Sequence, residues 1–188
     1  MNKLRKAATS AFNRFVAIDF ETADYGRDSA CSVSGIVVEK GKIVRKISAL
    51  IRPPRRDFIF SYLHGITWKD VAKKPEFGEL WPKINSLFKR VEFIAAHNAS
   101  FDRGVLHACC AMAGIIPPKI KYLCTMKLSR HLWGLYPTKL SDVSRHFGIE
   151  LKHHDAQSDA MACAKIVLKA SKSEIPASAF LNSKTDWE

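Results

Sequence analysis

Residues 15–23 read Phe-Val-Ala-Ile-Asp-Phe-Glu-Thr-Ala, a short apolar run that turns acidic at Asp19 and Glu21. A run of this length and composition predicts a buried strand. Side chains along a strand alternate between faces, so Asp19 and Glu21 project together and Phe20 points the other way. A buried strand that ends in two carboxylates on one face places a polar site at the end of a sheet.

The flanking sequence supplies the rest of the sheet. SVSGIVVEKGKIVRKISALI (32–51) predicts two strands joined by a hairpin at Glu39-Lys40-Gly41-Lys42, and Pro53 and Pro54 end the second strand. Thr67 and Asp70 have the spacing of a capping box for a short helix. Phe77, Leu80, Trp81, Ile84, Leu87 and Phe88 recur at helical spacing, with Pro82 predicting a late start or a kink. VEFIAAHN (91–98) reads as a further strand, followed by a helix over 100–113 closed by Gly114. A short strand over 121–125 leads to a helix over 126–133 that Thr125 can cap. Leu140, Val143 and Phe147 mark another helix, ended by Gly148, and Asp155 caps a last helix over about 156–169. Leading strands with a hairpin require antiparallel pairing, and the later alternation requires parallel pairing with crossover helices. The fold class is therefore α/β, a mixed central β-sheet with helices on its faces.

The 188 residues favour one domain. The expected division is a basic arm over 1–14, a domain over 15–170 and a tail over 171–188. No apolar run is long enough to span a bilayer, and the N-terminus lacks the apolar core of a secretory signal. The five cysteines, Cys31, Cys109, Cys110, Cys124 and Cys163, form no CxxC pair. They point to free thiols and to a reducing, cytoplasmic setting. The formal charge is +12. Lys3, Arg5, Lys6 and Arg14 lie in the arm, so the remainder is basic too, as suits a polyanionic partner such as nucleic acid.

Two more carboxylates and a histidine join the first pair. Asp102 falls one turn into the helix after HNASF, Asp159 in the first turn of the last helix, and His154 just before it. Taken singly each is ordinary, because an acid at a strand end or helix start is commonly solvated or favoured by the helix dipole. Together they suit two-metal phosphodiester hydrolysis. Mg²⁺ takes oxygen ligands and keeps waters, and two such ions stabilise both the attacking and the leaving oxygen. A neutral histidine beside the attacking water accepts its proton. A zinc site built from His64, His97, His107, His153 and His154 has no HxH or HxxxH pair to support it. A non-catalytic nucleic-acid-binding subunit would have no need of all four carboxylates.

FVAIDFETA, HNASFD and HHDAQSDA resemble, in this order, the three motifs of the DnaQ-like (DEDDh) 3′–5′ exonucleases, the family that includes the proofreading epsilon subunits of bacterial DNA polymerase III. LHGIT (63–67), followed by Pro75 and Phe77, is also similar to the epsilon pattern. The resemblance covers about 15–169 and implies a ribonuclease H-like sheet. It implies a metal-dependent exonuclease that removes nucleoside 5′-monophosphates from the 3′ end of single-stranded DNA. An RNA exonuclease of the RNase T or oligoribonuclease kind is the alternative. The implied cofactors are two divalent cations, Mg²⁺ or Mn²⁺. Asp19 would bridge them, Glu21 and Asp159 would complete the first site, Asp102 would serve the second, and His154 would be the general base. Thr22, Leu63, His64, Asn98 and Phe101 would line the pocket for the terminal nucleotide. The implied partners are single-stranded 3′ ends and, for a proofreader, a polymerase or another replication or repair protein; the sequence leaves open a stand-alone nuclease. The chain departs from the family in three places. Glu-Thr-Ala-Asp replaces the common Glu-Thr-Thr-Gly, which puts an extra carboxylate, Asp24, beside the site. Cys124 stands where an Asp is usual. His153 precedes His154, but only His154 has the motif spacing to Asp159.

Overall fold

The computed structural model describes residues 12–173. β1 (Arg14–Thr22) runs through the middle of a five-stranded sheet and is longer than its apolar run. β2 (Ala30–Glu39) and β3 (Lys42–Leu50) form the expected hairpin. Lys40 and Gly41 at its turn both have positive φ, 48° and 76°, the twist a two-residue hairpin loop requires. Two short helices, α1 (Ser61–His64) and α2 (Trp68–Val71), precede α3 (Phe77–Asn85) and a 3₁₀ turn, Ser86–Phe88. β4 (Phe93–Ala96), α4 (Ala99–Met112) and β5 (Lys121–Cys124) form the parallel crossover unit. α5 (Thr125–Trp133), α6 (Leu140–His146) and α7 (Ala156–Ala170) complete the fold. The strand order is β3-β2-β1-β4-β5, with β1 antiparallel to β2 and parallel to β4. This is the mixed sheet the sequence predicts.

Alternation along β1 feeds two cores. Phe15 and Ala17 pack with Leu128, Leu140, Val143, Ile166 and Val167 of α5, α6 and α7. Val16, Ile18 and Phe20 pack with Phe77 and Ile84 of α3 and with Val105, Leu106 and Cys109 of α4. Helices therefore cover both faces, and β1 carries Asp19 and Glu21 on the face that α7 covers.

Several local expectations are corrected. Phe12, placed in the arm, is buried and its ring meets Phe93 edge-on at 4.9 Å. Arg14 already belongs to β1, so the folded domain starts no later than Phe12; residues 1–11 and 174–188 lie outside the described residues. Pro82 sits inside α3, which starts at Phe77, so the helix neither starts late nor ends there. Thr125 does not cap α5 from outside. It is the first helical residue, and Cys124 holds the cap position. Asp155 does cap α7, accepting from the Ser158 amide at 2.9 Å.

Candidate active site

β4 pairs with β1 only at Val16 and Ala17. Beyond that point the carboxyl end of β1 projects past its neighbour, and its amides on that side need other acceptors. Asp102 meets the need: its Oδ1 accepts from the Phe20 amide at 3.1 Å. The second motif is thereby fastened to the first, and Asp102 is almost fully buried.

Asp159 reaches the same place from α7, also buried. The approach to it is held by its own backbone. The Lys152 amide donates to Ser158 Oγ at 2.7 Å, and the His154 amide donates to Asp159 Oδ2 at 3.2 Å. His154 adopts φ 65°, an uncommon conformation for a residue with a side chain. The His153 and His154 rings stack with centroids 3.9 Å apart.

Asp19, Glu21 and Asp159 bring ligand oxygens within 4.8 Å of one another. Like charges at that spacing favour protonation. Burial, then Asp102, Asp159 and Glu21, hold Asp19 well above the usual carboxylate range. Burial, then Asp159 and Asp102, push Glu21 up to about 8. Burial pushes Asp102 up to about 8 against the pull of the Phe20 amide, and burial also raises Asp159. Asp159 Oδ1 is buried and has no hydrogen-bond partner among the described residues. A buried oxygen without a donor, among carboxylates that repel, fits a cation. An all-oxygen set fits Mg²⁺ or Mn²⁺ better than a soft metal.

These pKa shifts give the metal-free protein a defined pH response. Carboxylates with raised folded-state values contribute stability that is complete below their unfolded values, 3.8 for Asp and 4.5 for Glu. That contribution is lost as pH rises through about 8. His64, His97 and His154 are lowered chiefly by burial and act in the opposite sense, but only as pH falls below 6.5. Thermal melts in EDTA should therefore show a melting temperature that declines from pH 6.5 to 8, and saturating Mg²⁺ should remove the decline. A metal-free melting temperature that rises over this window would contradict the clustered carboxylates.

The cluster lies at the floor of a cavity of about 600 Å³. Thr22, Leu63, His64, Asn98 and Phe101 all line it, as do His153 and His154. His64 is fixed as a neutral ring. Its Nδ1 accepts from the Ile66 amide at 3.0 Å, so Nε2 is the nitrogen that donates to the Thr22 carbonyl at 3.2 Å. Asn98 adopts φ 64°, and its Oδ1 accepts from Ser100 Oγ at 3.1 Å, leaving the amide NH₂ for a ligand.

Two expectations about neighbours are corrected. Asp24 is not an extra carboxylate in the cluster. Arg55 grips it at 2.9 and 3.0 Å while also holding Asp28 at 2.7 and 2.9 Å. The Arg55 hydrogen bonds keep the Asp24 carboxyl below its ordinary range. His153 is not a bystander, because its Nδ1 donates to Asp159 Oδ2 at 3.1 Å. The cavity also has a wall that sequence reasoning missed, made by Arg130, Tyr136, Pro137, Thr138 and Lys139. His97 ties this wall to the sheet. Its Nε2 donates to the Thr138 carbonyl at 2.8 Å, and its Nδ1 accepts from Thr125 Oγ1 at 2.9 Å. Burial lowers His97 to about 4, so it is neutral. His64 and His97 are thus spent on carbonyls, which takes these two out of a histidine-rich zinc site, whereas His153 and His154 bring ligand atoms within 4.8 Å of Asp159. Gly134 and Pro137 mark a turn in the sequence, but nothing in it tells which cavity the turn lines.

A mixed sheet with carboxylates converging at the end of its central strand, beside a cavity of nucleotide size, defines an α/β nuclease fold. The profile of the exonuclease family (RNase_T) matches residues 16–167, and the chain belongs to that family. It is 34% identical over 160 residues to exodeoxyribonuclease 10 of Escherichia coli K12, covering 80% of this chain and 66% of that protein. It is 29% identical over 159 residues to the PolC-type DNA polymerase III of Thermotoga maritima, 82% of this chain but 12% of the polymerase. The chain thus spans just under two thirds of the first relative and a small part of the second. Exonuclease X in complex with 5′ overhanging duplex DNA superposes with a TM-score of 0.68 at 25% identity, over 89% of this chain and 96% of that one. The nuclease domain of 3′hExo, a DEDDh family member bound to rAMP, superposes with a TM-score of 0.70 at 17% identity, over 84% of this chain and 91% of that one. The five cysteines are free and buried. No helix among the described residues is long and apolar enough to cross a membrane.

Proposed function

We propose that the chain is a metal-dependent 3′–5′ exonuclease that hydrolyses the terminal phosphodiester of single-stranded DNA and releases nucleoside 5′-monophosphates. The observation that carries this reading is the Asp19–Glu21–Asp159 cluster, with the unpartnered Asp159 Oδ1, on the floor of the cavity. Asp19, Glu21 and Asp159 would hold one Mg²⁺ or Mn²⁺, and Asp19 with Asp102 a second. Bound there, the ions would neutralise the scissile phosphate and make water a stronger acid. His154 accepts the proton of the attacking water. Its pKa is lowered by burial, so the ring is neutral and basic at pH 7. Phe101 and Leu63 offer apolar surface to the terminal base, and Asn98 offers its amide NH₂ to sugar or phosphate.

The preference for DNA is supported by the similarity to an exodeoxyribonuclease and to a DNA polymerase. The polymerase similarity also supports a replication or repair partner. Purified protein given DNA and RNA oligonucleotides of one sequence should degrade both only with Mg²⁺ or Mn²⁺, with the higher kcat/KM on DNA. A higher kcat/KM on RNA would replace DNA with RNA as substrate. Undiminished activity in EDTA would remove the metal-dependent reading.

A further inference from the structure

Arg27 lies in the loop between β1 and β2, outside the cavity but against one of its walls. Its guanidinium carbon is 5.3 Å from the centre of the Phe101 ring, and Phe101 lines the cavity. Its Nη1 donates to the Phe101 carbonyl at 2.9 Å and reaches the Ser100 carbonyl at 3.5 Å. Both carbonyls lie in the first turns of α4, where amides four residues on already serve helical acceptors. The side chain is exposed and forms no ion pair among the described residues.

The seat for this guanidinium depends on the absence of a side chain at Gly104. A Cβ there would stand 2.7 Å from both Arg27 Cδ and Nη1. Glycine in a helix interior is unfavourable relative to alanine, so the site tolerates a cost to keep Arg27 flat against the helix. The loop does not need Arg27 for its own shape. Arg55 already locks Asp24 and Asp28, the Ala23 amide donates to the Ser29 carbonyl at 2.9 Å, and the Ser29 amide donates to the Gly26 carbonyl at 3.0 Å. What the arrangement achieves is a guanidinium with no ion pair among the described residues, stacked behind an aromatic wall of the nucleotide cavity.

We propose that Arg27 is a strand-contact residue, which binds a backbone phosphate upstream of the terminal nucleotide. The inference rests on the exonuclease reading, and it makes substrate length the quantity Arg27 controls. Arg27 is not among the residues that line the cavity, so a single nucleotide held there is expected to miss the guanidinium, whereas a longer strand must leave the cavity past one of its walls.

The full chain carrying Arg27→Gln is compared with the parent in two assays. The first is binding of labelled oligothymidylate in EDTA over a salt series. The second is hydrolysis of the nitrophenyl ester of thymidine 5′-monophosphate with Mn²⁺. Oligothymidylate binding should weaken about three- to tenfold, and the log–log salt slope should shrink by about 0.7, the value for one phosphate contact on a single strand. The kcat/KM for the ester should stay within about twofold. Gly104→Ala should weaken strand binding in the same direction without lowering the melting temperature, since alanine favours the helix. An unchanged salt slope, or an equal loss on the ester, would overturn the proposal. If the parent hydrolyses neither the ester nor, in a parallel incubation with Mn²⁺, the oligothymidylate, the exonuclease reading fails, and the binding series in EDTA still decides the role of Arg27.

Discussion

Asp19→Ala is expected to abolish detectable hydrolysis and to remove most of the stabilisation that Mg²⁺ or Mn²⁺ gives the parent protein. Asp19 shares a 4.8 Å cluster with Glu21 and Asp159, and after burial itself Asp102, Asp159 and Glu21 all raise its pKa. A ligand that binds only the folded state stabilises it by RT ln(1 + [L]/Kd), about 2.7 kcal/mol at one hundred times Kd. That gain should be clear in a thermal melt of the parent and largely missing in the variant. In EDTA the order should reverse, with Asp19→Ala melting at or above the parent because one of the repelling charges is gone. A parent without any metal-induced shift at saturating concentration would show that the carboxylates are not a metal site.

His154→Ala and Asp159→Ala, five residues apart, are expected to fail differently. A general base contributes about 10²–10⁴ in rate, and a histidine that is not a metal ligand leaves metal affinity nearly intact. His154→Ala should therefore lower kcat by about that factor and keep both the metal-induced shift and strand binding. Asp159→Ala would remove a proposed ligand oxygen, so it should lose the shift and the rate together, with partial rescue by raised Mn²⁺. His153 is not the neutral control that motif spacing suggests. Its hydrogen bond to Asp159 Oδ2 and its stack on His154 place it against both residues. His153→Ala should lower the rate less than His154→Ala, by about tenfold at most. Rates measured at saturating metal across pH 6–8 check this ranking. A dispensable His154 beside an essential His153 would reassign the base and break the His-x₄-Asp alignment.

The parts of this site that were legible in the sequence are those governed by short-range periodicity. Asp19 and Glu21 share a face because a strand alternates, and Asp155 announces α7 because a helix start needs an acceptor. Asp102 and Asp159 are each placed by the helix whose first turns they occupy. What was not legible depends on partners distant along the chain. Asp24 looks like a fifth carboxylate until Arg55, thirty-one residues on, takes both its oxygens. His97 reads as a lone histidine until the Thr138 carbonyl, forty-one residues on, and Thr125 claim its two nitrogens. Phe12 reads as part of a basic arm because its charged neighbours dominate the composition, yet its ring packs on Phe93. Arg27 gave no signal at all, since neither Phe101 nor Gly104 is near it in sequence.

The most direct test of the account is a single-stranded DNA oligonucleotide labelled in one sample at its 5′ end and in another at its 3′ end, followed over time with Mg²⁺ and with EDTA. With Mg²⁺, the 3′ label should appear at once as a nucleoside 5′-monophosphate, while the 5′ label passes through a descending ladder of shortened strands. With EDTA, neither label should move. Early release of the 5′ label, cleavage at internal positions before the 3′ label is lost, or equal turnover in EDTA would contradict a metal-dependent site that works from the 3′ end.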